Sequence, residues 1–170
     1  MIKKHYYSWQ DIEDACVNIA LQMYKDAWRP DYIVGITRGG NVPATILSNM
    51  LDVRGEALKV SLRDGSEEAC ETNCWMAEDA FGSGETAKKN ILIVDDINDT
   101  GATFNWIKDD WHSSVYDGEN TVWGDNVRFA VITENLSSDF HLVDYHAHEV
   151  NKAEEDVWIE YPWETWYEKW

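Results

Sequence analysis

Residues 91–103 read ILIVDDINDTGAT, and this stretch decides the fold. Ile91 to Val94 are apolar and β-rich with no polar alternation, the pattern of a strand buried on both faces of a parallel sheet. Asp95 and Asp96 follow where such a strand leaves the sheet. Open α/β sheets bind ligands there, at the carboxyl ends of their strands. Asp99 then precedes Thr100, Gly101, Ala102 and Thr103, the small, hydroxyl-bearing composition of a loop opening onto a helix. A helix N-terminus with N–H groups, hydroxyls and a glycine suits a phosphate. A phosphate cradle beside two carboxylates fitted to sugar hydroxyls or a hard cation predicts a phosphorylated sugar as ligand.

The flanking sequence supplies the rest of such a fold. Ser8 is a good N-cap with Asp11 three residues on, and Trp9, Ile12, Cys16, Ile19 and Met23 share one helical face. Arg29-Pro30 ends that helix. Residues 31–37 (DYIVGIT) read as a second apolar strand, followed by Arg38-Gly39-Gly40 and a helix over 42–51. Residues 56–62 read as a strand, and 63–89 turn polar, acidic and Gly/Ser-bearing, the composition of a mobile loop rather than core. After the strand at 91–95 come a helix near 102–111, a surface insertion over 112–126, and strands at 127–133 and about 142–148. Strand–loop–helix alternation of this kind predicts an α/β fold, a mostly parallel twisted sheet flanked by helices. The Arg38-Gly39-Gly40 turn repeats the logic of the first motif. Two glycines permit close backbone approach to a ligand, and Arg38 offers a planar fork of donors.

Composition sets the limits. At 170 residues the chain is expected to be one domain with a substantial core. No apolar run is long enough to cross a membrane, and the N-terminus MIKKHYYSWQ lacks a signal core, so a cytoplasmic location is expected. Cys16, Cys70 and Cys74 make an odd set with no disulfide framework or finger-like zinc spacing. A net charge of −18 argues against a nucleic-acid partner, since phosphate backbones are gripped by Lys and Arg. It also means that the few cations must gather at any anionic ligand. The acidity elsewhere reads as a solubility trait, suited to a salty habitat.

The whole run from apolar strand through paired acids to Asp-Thr-Gly-x-Thr resembles the signature of the type I phosphoribosyltransferases. The resemblance implies their fold with a small C-terminal hood. The expected layout is a single domain over 1–170, with a core of about 28–135 and a hood of about 140–170 joined by the N-terminal segment. Residues 63–89 would be the mobile loop that excludes water. It implies phosphoribosyl pyrophosphate and a nucleobase as substrates, Mg2+ as cofactor, and a homo-oligomer, dimer or tetramer. By the same resemblance Asp95 and Asp96 hold the ribose hydroxyls, with Asp96 also the metal contact. Thr100, Gly101, Ala102 and Thr103 wrap the 5′-phosphate, and Asp99 handles a proton of the base. Arg38, Gly39 and Gly40 hold pyrophosphate in a loop that, in this family, often contains a non-proline cis peptide. Arg63 reaches over the pyrophosphate from the mobile loop, and Lys88 and Lys89 flank that loop's far end.

Tyr7-Ser8-Trp9, Thr37-Arg38-Gly39-Gly40 and the tail Trp158-Ile159-Glu160-Tyr161-Pro162-Trp163 narrow the likeness to the xanthine-guanine and hypoxanthine branch of the family. Transfer of ribose 5-phosphate to a guanine, xanthine or hypoxanthine in purine salvage is thereby implied. Trp158 would stack on the purine and the Ile159 backbone would meet the base edge. One position departs from the pattern. Where the purine enzymes place a lysine for the 6-oxo group, this chain has Glu134, with Asn135 next to it and Lys152, just upstream of the hood, as a remoter donor. An ionised carboxylate accepts hydrogen bonds and donates none. Two further readings follow: an acceptor such as adenine or a pyrimidine, or a non-catalytic sensor of phosphoribosyl pyrophosphate.

Overall fold

The motif strand outruns its apolar stretch: β4 spans Ile91–Asn98, with Ile91 to Val94 wholly buried. The computed structural model describes residues 1–62, 70, 73–82, 87–115 and 124–169. In it β4 lies at the centre of a five-stranded sheet. It pairs with β2 (Tyr32–Thr37) on one side and β5 (Val127–Asn135) on the other, and β3 (Arg54–Lys59) and β6 (Tyr145–Val150) form the edges. Every pairing is parallel, as the continuous apolar strands require. The order β3-β2-β4-β5-β6 brings the carboxyl ends of β2, β3, β4 and β5 to one rim.

Side-chain alternation divides two cores between the sheet faces. On one face Ile33, Leu92, Val94 and Ile132 pack against α1 (Trp9–Lys25) and α2 (Asn41–Leu51), through Ile12, Cys16, Ile19 and Leu47. On the other, Val34, Ile93 and Phe129 meet α3 (Cys74–Phe81) and α4 (Ala102–Ser114), through Met76, Phe81, Phe104 and Trp111. Helix α1 begins in a full capping box: Ser8 Oγ accepts from the Asp11 N–H, and Asp11 Oδ2 accepts from the Ser8 N–H. A separate two-stranded sheet pairs β1 (Lys3–Tyr6) with β7 (Val157–Glu160), in parallel. Its Val157 and Ile159, with Tyr7 and Tyr161, extend the core beneath α1.

Four differences from the sequence reading have physical causes. Strand β3 runs over 54–59 rather than 56–62, because pairing with β2 sets its register and an edge strand needs little apolar signal. Helix α3 lies inside the stretch expected to be a loop, and Met76, Ala77, Ala80 and Phe81 are core residues. It is tied down where Tyr32 Oη donates to Asp79 Oδ2 and Lys89 pairs with Asp79 Oδ1, so Lys89 serves this anchor. Helix α4 continues to Ser114, into the expected insertion. Strand β1 had no apolar alternation to announce it; its four residues are all exposed. Residues 63–69, 71–72 and 83–86 of the expected mobile loop, Arg63 among them, and 116–123 of the insertion lie outside the described residues.

Candidate active site

The rim of the sheet opens into a cleft of about 1340 Å³ that runs from the ends of β2 and β3 across β4 to the hood. Its floor is the motif itself: Asp95 through Phe104 all line it. The turn of β4 into its loop is held by the acids' own side chains. Asp95 Oδ1 accepts from the Asp96 N–H at 2.9 Å, and Asp96 Oδ1 accepts from the Ile97 N–H at 2.8 Å. Each carboxylate thereby fixes the backbone ahead of it, and both residues line the cleft.

The phosphate-cradle stretch is shaped by one glycine. Gly101 has φ +89°, in the left-handed region, and a Cβ there would lie 2.5 Å from the Phe140 N and 2.8 Å from Ser138 Oγ. Only glycine lets the loop pass so close to the segment after β5, to which the Thr100 carbonyl is also bonded by the Asp139 N–H. Helix α4 starts at Ala102 after Gly101, which has no side chain to cap it, and the Ala102 N–H donates to Thr100 Oγ1 at 3.3 Å. Thr100 to Thr103 line the cleft at the helix start, where backbone N–H groups suit an anion.

Across the cleft stands the Arg38-Gly39-Gly40 turn. The Thr37–Arg38 peptide is cis, in the loop where the resemblance implied one. A Cβ on Gly39 would overlap the Asp96 carboxylate, and one on Gly40 would sit 2.5 Å from the Val94 carbonyl. The two ligand loops therefore pack backbone against backbone. Thr37, Arg38 and Gly39 line the cleft, whereas Gly40 lies behind them as the residue that admits β4 to the start of α2. Lys59 joins them: it pairs with Thr37 in the β2–β3 register and lines the same wall. Sequence reading passed over Lys59, and its place at the end of an edge strand beside the Arg-Gly-Gly strand was the signal available.

The hood closes the other end. Trp158 is 49% exposed and lines the cleft, while Val157 and Ile159 on either side are buried, the alternation of a half-covered strand. Ile159 is thus a core side chain, and only its backbone remains available in β7. Tyr161 ties hood to floor. Its hydroxyl donates to the Asp96 carbonyl at 3.0 Å and lies 3.0 Å from Thr133 Oγ1. Burial pushes the Tyr161 phenol well up, which keeps that donor protonated. Trp163 stacks on the same ring, 4.9 Å between centroids and 10° between planes.

Two expected residues take different places. Glu134 is only 9% exposed and is absent from the cleft wall. Its Oε1 accepts from Asn98 Nδ2 at 2.9 Å, and Asn98 Oδ1 accepts in turn from Ser138 Oγ. Burial raises the Glu134 carboxyl above the ordinary range, against the hydrogen bond from Asn98. Its β4–β5 register partner is Asn98, which explains why the side chain turns inward rather than to a base edge. Lys152, by contrast, comes to the site: its Nζ lies 2.9 Å from Asp99 Oδ1.

The donor set suits a hard cation shared with a ligand. Among the described residues no group of three or more His, Cys, Asp and Glu side chains could cage a metal. Mg2+ needs no such cage, since it keeps waters and takes one or two carboxylates alongside phosphate oxygens. Asp95 and Asp96 provide that pair at the rim. No helix among the described residues is long and apolar enough to cross a membrane.

Comparison with known proteins agrees with this geometry. A family model described as the phosphoribosyl transferase domain matches residues 3–166. Hypoxanthine-guanine phosphoribosyltransferase of Schizosaccharomyces pombe is 31% identical, covering 94% of this chain and 88% of its own. Xanthine-guanine phosphoribosyltransferase of Desulfotalea psychrophila is also 31% identical, over 85% of this chain and 82% of its own. A solved purine phosphoribosyltransferase from Pyrococcus horikoshii superposes with a TM-score of 0.68 at 23% identity, covering 95% of this chain and 94% of that one. At that identity the superposition speaks to the fold.

Proposed function

Because the chain belongs to the phosphoribosyl transferase domain family, we propose that it transfers ribose 5-phosphate from phosphoribosyl pyrophosphate to a guanine, xanthine or hypoxanthine base, releasing pyrophosphate, as in purine salvage. The observation that carries this reading is the continuous cleft. It is lined by a helix start suited to phosphate, two carboxylates suited to ribose hydroxyls, the cations Arg38 and Lys59, and an exposed tryptophan.

The chemistry follows from where those groups stand. Thr100 to Thr103 grip the 5′-phosphate with N–H groups and hydroxyls. Asp95 and Asp96 accept from the 2′- and 3′-hydroxyls of the ribose. The bond from C1′ to the pyrophosphate oxygen breaks ahead of the new bond from C1′ to the base nitrogen, so positive charge grows on the ribose ring. The same two carboxylates, fixed beforehand by their backbone bonds, stabilise that charge. Arg38 and Lys59, beside the Gly39 backbone, hold the departing pyrophosphate. Asp99 accepts the proton that the base nitrogen system must lose. Trp158 covers the base from the hood side as a flat platform. Asp96, with Asp95 beside it, would hold Mg2+, which would supply charge neutralisation at the pyrophosphate.

The test offers phosphoribosyl pyrophosphate and Mg2+ with guanine, xanthine, hypoxanthine, adenine and uracil in separate assays of pyrophosphate release. Release with the 6-oxopurines is expected. Release with adenine or uracil alone would assign another acceptor, and tight sugar binding with no release would make the chain a sensor.

A further inference from the structure

Lys152 opens the turn between β6 and β7, far in sequence from the motif, yet its ammonium pairs with Asp99 at 2.9 Å. One buried side chain arranges both partners. Asn135, 4% exposed, donates from Nδ2 to the Asp99 carbonyl at 2.8 Å and accepts at Oδ1 from the Lys152 N–H at 3.0 Å. The Ser137 hydroxyl also donates to Asn135 Oδ1, at 2.9 Å, which fixes the amide's orientation. Strand pairing locks the same corner: the Leu136 N–H donates to the Val150 carbonyl at 2.8 Å. The result is an acceptor and a donor side by side, held by their backbones, with Asp99 lining the same cleft as Trp158.

We propose that Lys152, working beside Asp99, is the donor that selects bases with a ring carbonyl. The inference rests on the transferase reading above and deepens it. An ionised carboxylate only accepts hydrogen bonds and an ammonium only donates them. Side by side they complement an edge that carries a ring N–H next to a carbonyl oxygen. A 6-oxopurine in its N7–H form has that edge, with the 6-oxygen adjacent to N7. Adenine presents a 6-amino group at the same place, donor against donor. Glu134 cannot take this part, because its carboxyl is bonded to Asn98 inside the core. Lys152 therefore supplies from the hood the charge that the end of β5 lacks. Asn135 is its positioning residue.

The experiment compares kcat/KM for hypoxanthine and for adenine in the wild type, Lys152→Met and Glu134→Gln, each with the KM for phosphoribosyl pyrophosphate. A charge-assisted hydrogen bond predicts that Lys152→Met loses about 10- to 100-fold in kcat/KM for hypoxanthine, mostly through the KM of the base. Adenine is unchanged or improved, and the KM for phosphoribosyl pyrophosphate stays within about twofold, the size of a lost neutral contact. Glu134→Gln keeps the wild-type preference. Unchanged hypoxanthine kinetics in Lys152→Met would overturn the proposal. So would an equal loss for both bases and the sugar, or a preference that moves in Glu134→Gln instead. Wild-type protein that turns over no base would reject the transferase reading itself, an outcome separate from all of these.

Discussion

The two ends of the cleft are built in opposite ways. At the phosphate end, 95–103 and 37–40 are two short stretches that hold themselves by bonds between neighbouring residues and press close together, and two glycines are required by that closeness. At the base end the parts come from the loop after β4, the end of β5, the turn after β6 and β7, and side chains hold them together. A site built from close-packed neighbours in sequence tolerates few changes and is written in contiguous residues. A side-chain-built site is free to move its donors from one element to another. Under the proposal above, Lys152 takes at the base end the cationic part that the resemblance placed at the position of Glu134.

Substitutions at the two ends should therefore separate the two substrates. The largest effect is expected from Asp99→Ala, which should lower turnover by about 10²- to 10⁴-fold, the usual weight of a positioned proton acceptor, with phosphoribosyl pyrophosphate affinity nearly unchanged. Full turnover in that variant would remove Asp99 from the reaction. Next comes Gly39→Ala, whose new Cβ would overlap the Asp96 carboxylate. Displacing that carboxylate should cut kcat/KM for phosphoribosyl pyrophosphate by about 100-fold. A variant that binds the sugar normally would show that the two loops need not touch. Trp158→Ala should raise the KM of the base by about 10-fold, as loss of an aromatic platform does, and leave the sugar alone. If the sugar constant moves instead, the platform lies elsewhere.

The smallest effect concerns stability and marks Glu134 as a core residue. Its carboxyl is raised by burial, so the folded chain holds its proton to higher pH than the unfolded chain. Stability is then lost as pH rises from the ordinary carboxylate range through the raised value. Glu134→Gln cannot ionise. Its melting temperature relative to wild type should climb across that window and level off above it. A difference independent of pH would mean that burial does not perturb this carboxyl.

The same contrast explains what the sequence made legible. The parallel sheet was readable because Ile91 to Val94 and 32–36 are apolar without interruption, which only a strand covered on both faces requires. The phosphate end was readable because Asp95 to Thr103 are consecutive. Lys152 was legible only as a remote candidate donor, since its partner Asp99 is brought near by β5–β6 pairing and the Asn135 side chain. Tyr161 was hidden for a like reason: its bond to the Asp96 carbonyl joins the hood to a strand in the middle of the chain. Helix α3 escaped notice because its core residues Met76, Ala77, Ala80 and Phe81 alternate with acids in a polar neighbourhood. Strand β1 has no buried face at all and exists through its pairing with β7.

The most direct test of the central claim identifies the product. Wild-type protein, Mg2+, phosphoribosyl pyrophosphate and hypoxanthine would be incubated together, and nucleotide and pyrophosphate quantified by chromatography with mass detection. Inosine monophosphate appearing mole for mole with pyrophosphate is the predicted result. Ribose 5-phosphate and pyrophosphate without nucleotide, or no turnover at all, would contradict it.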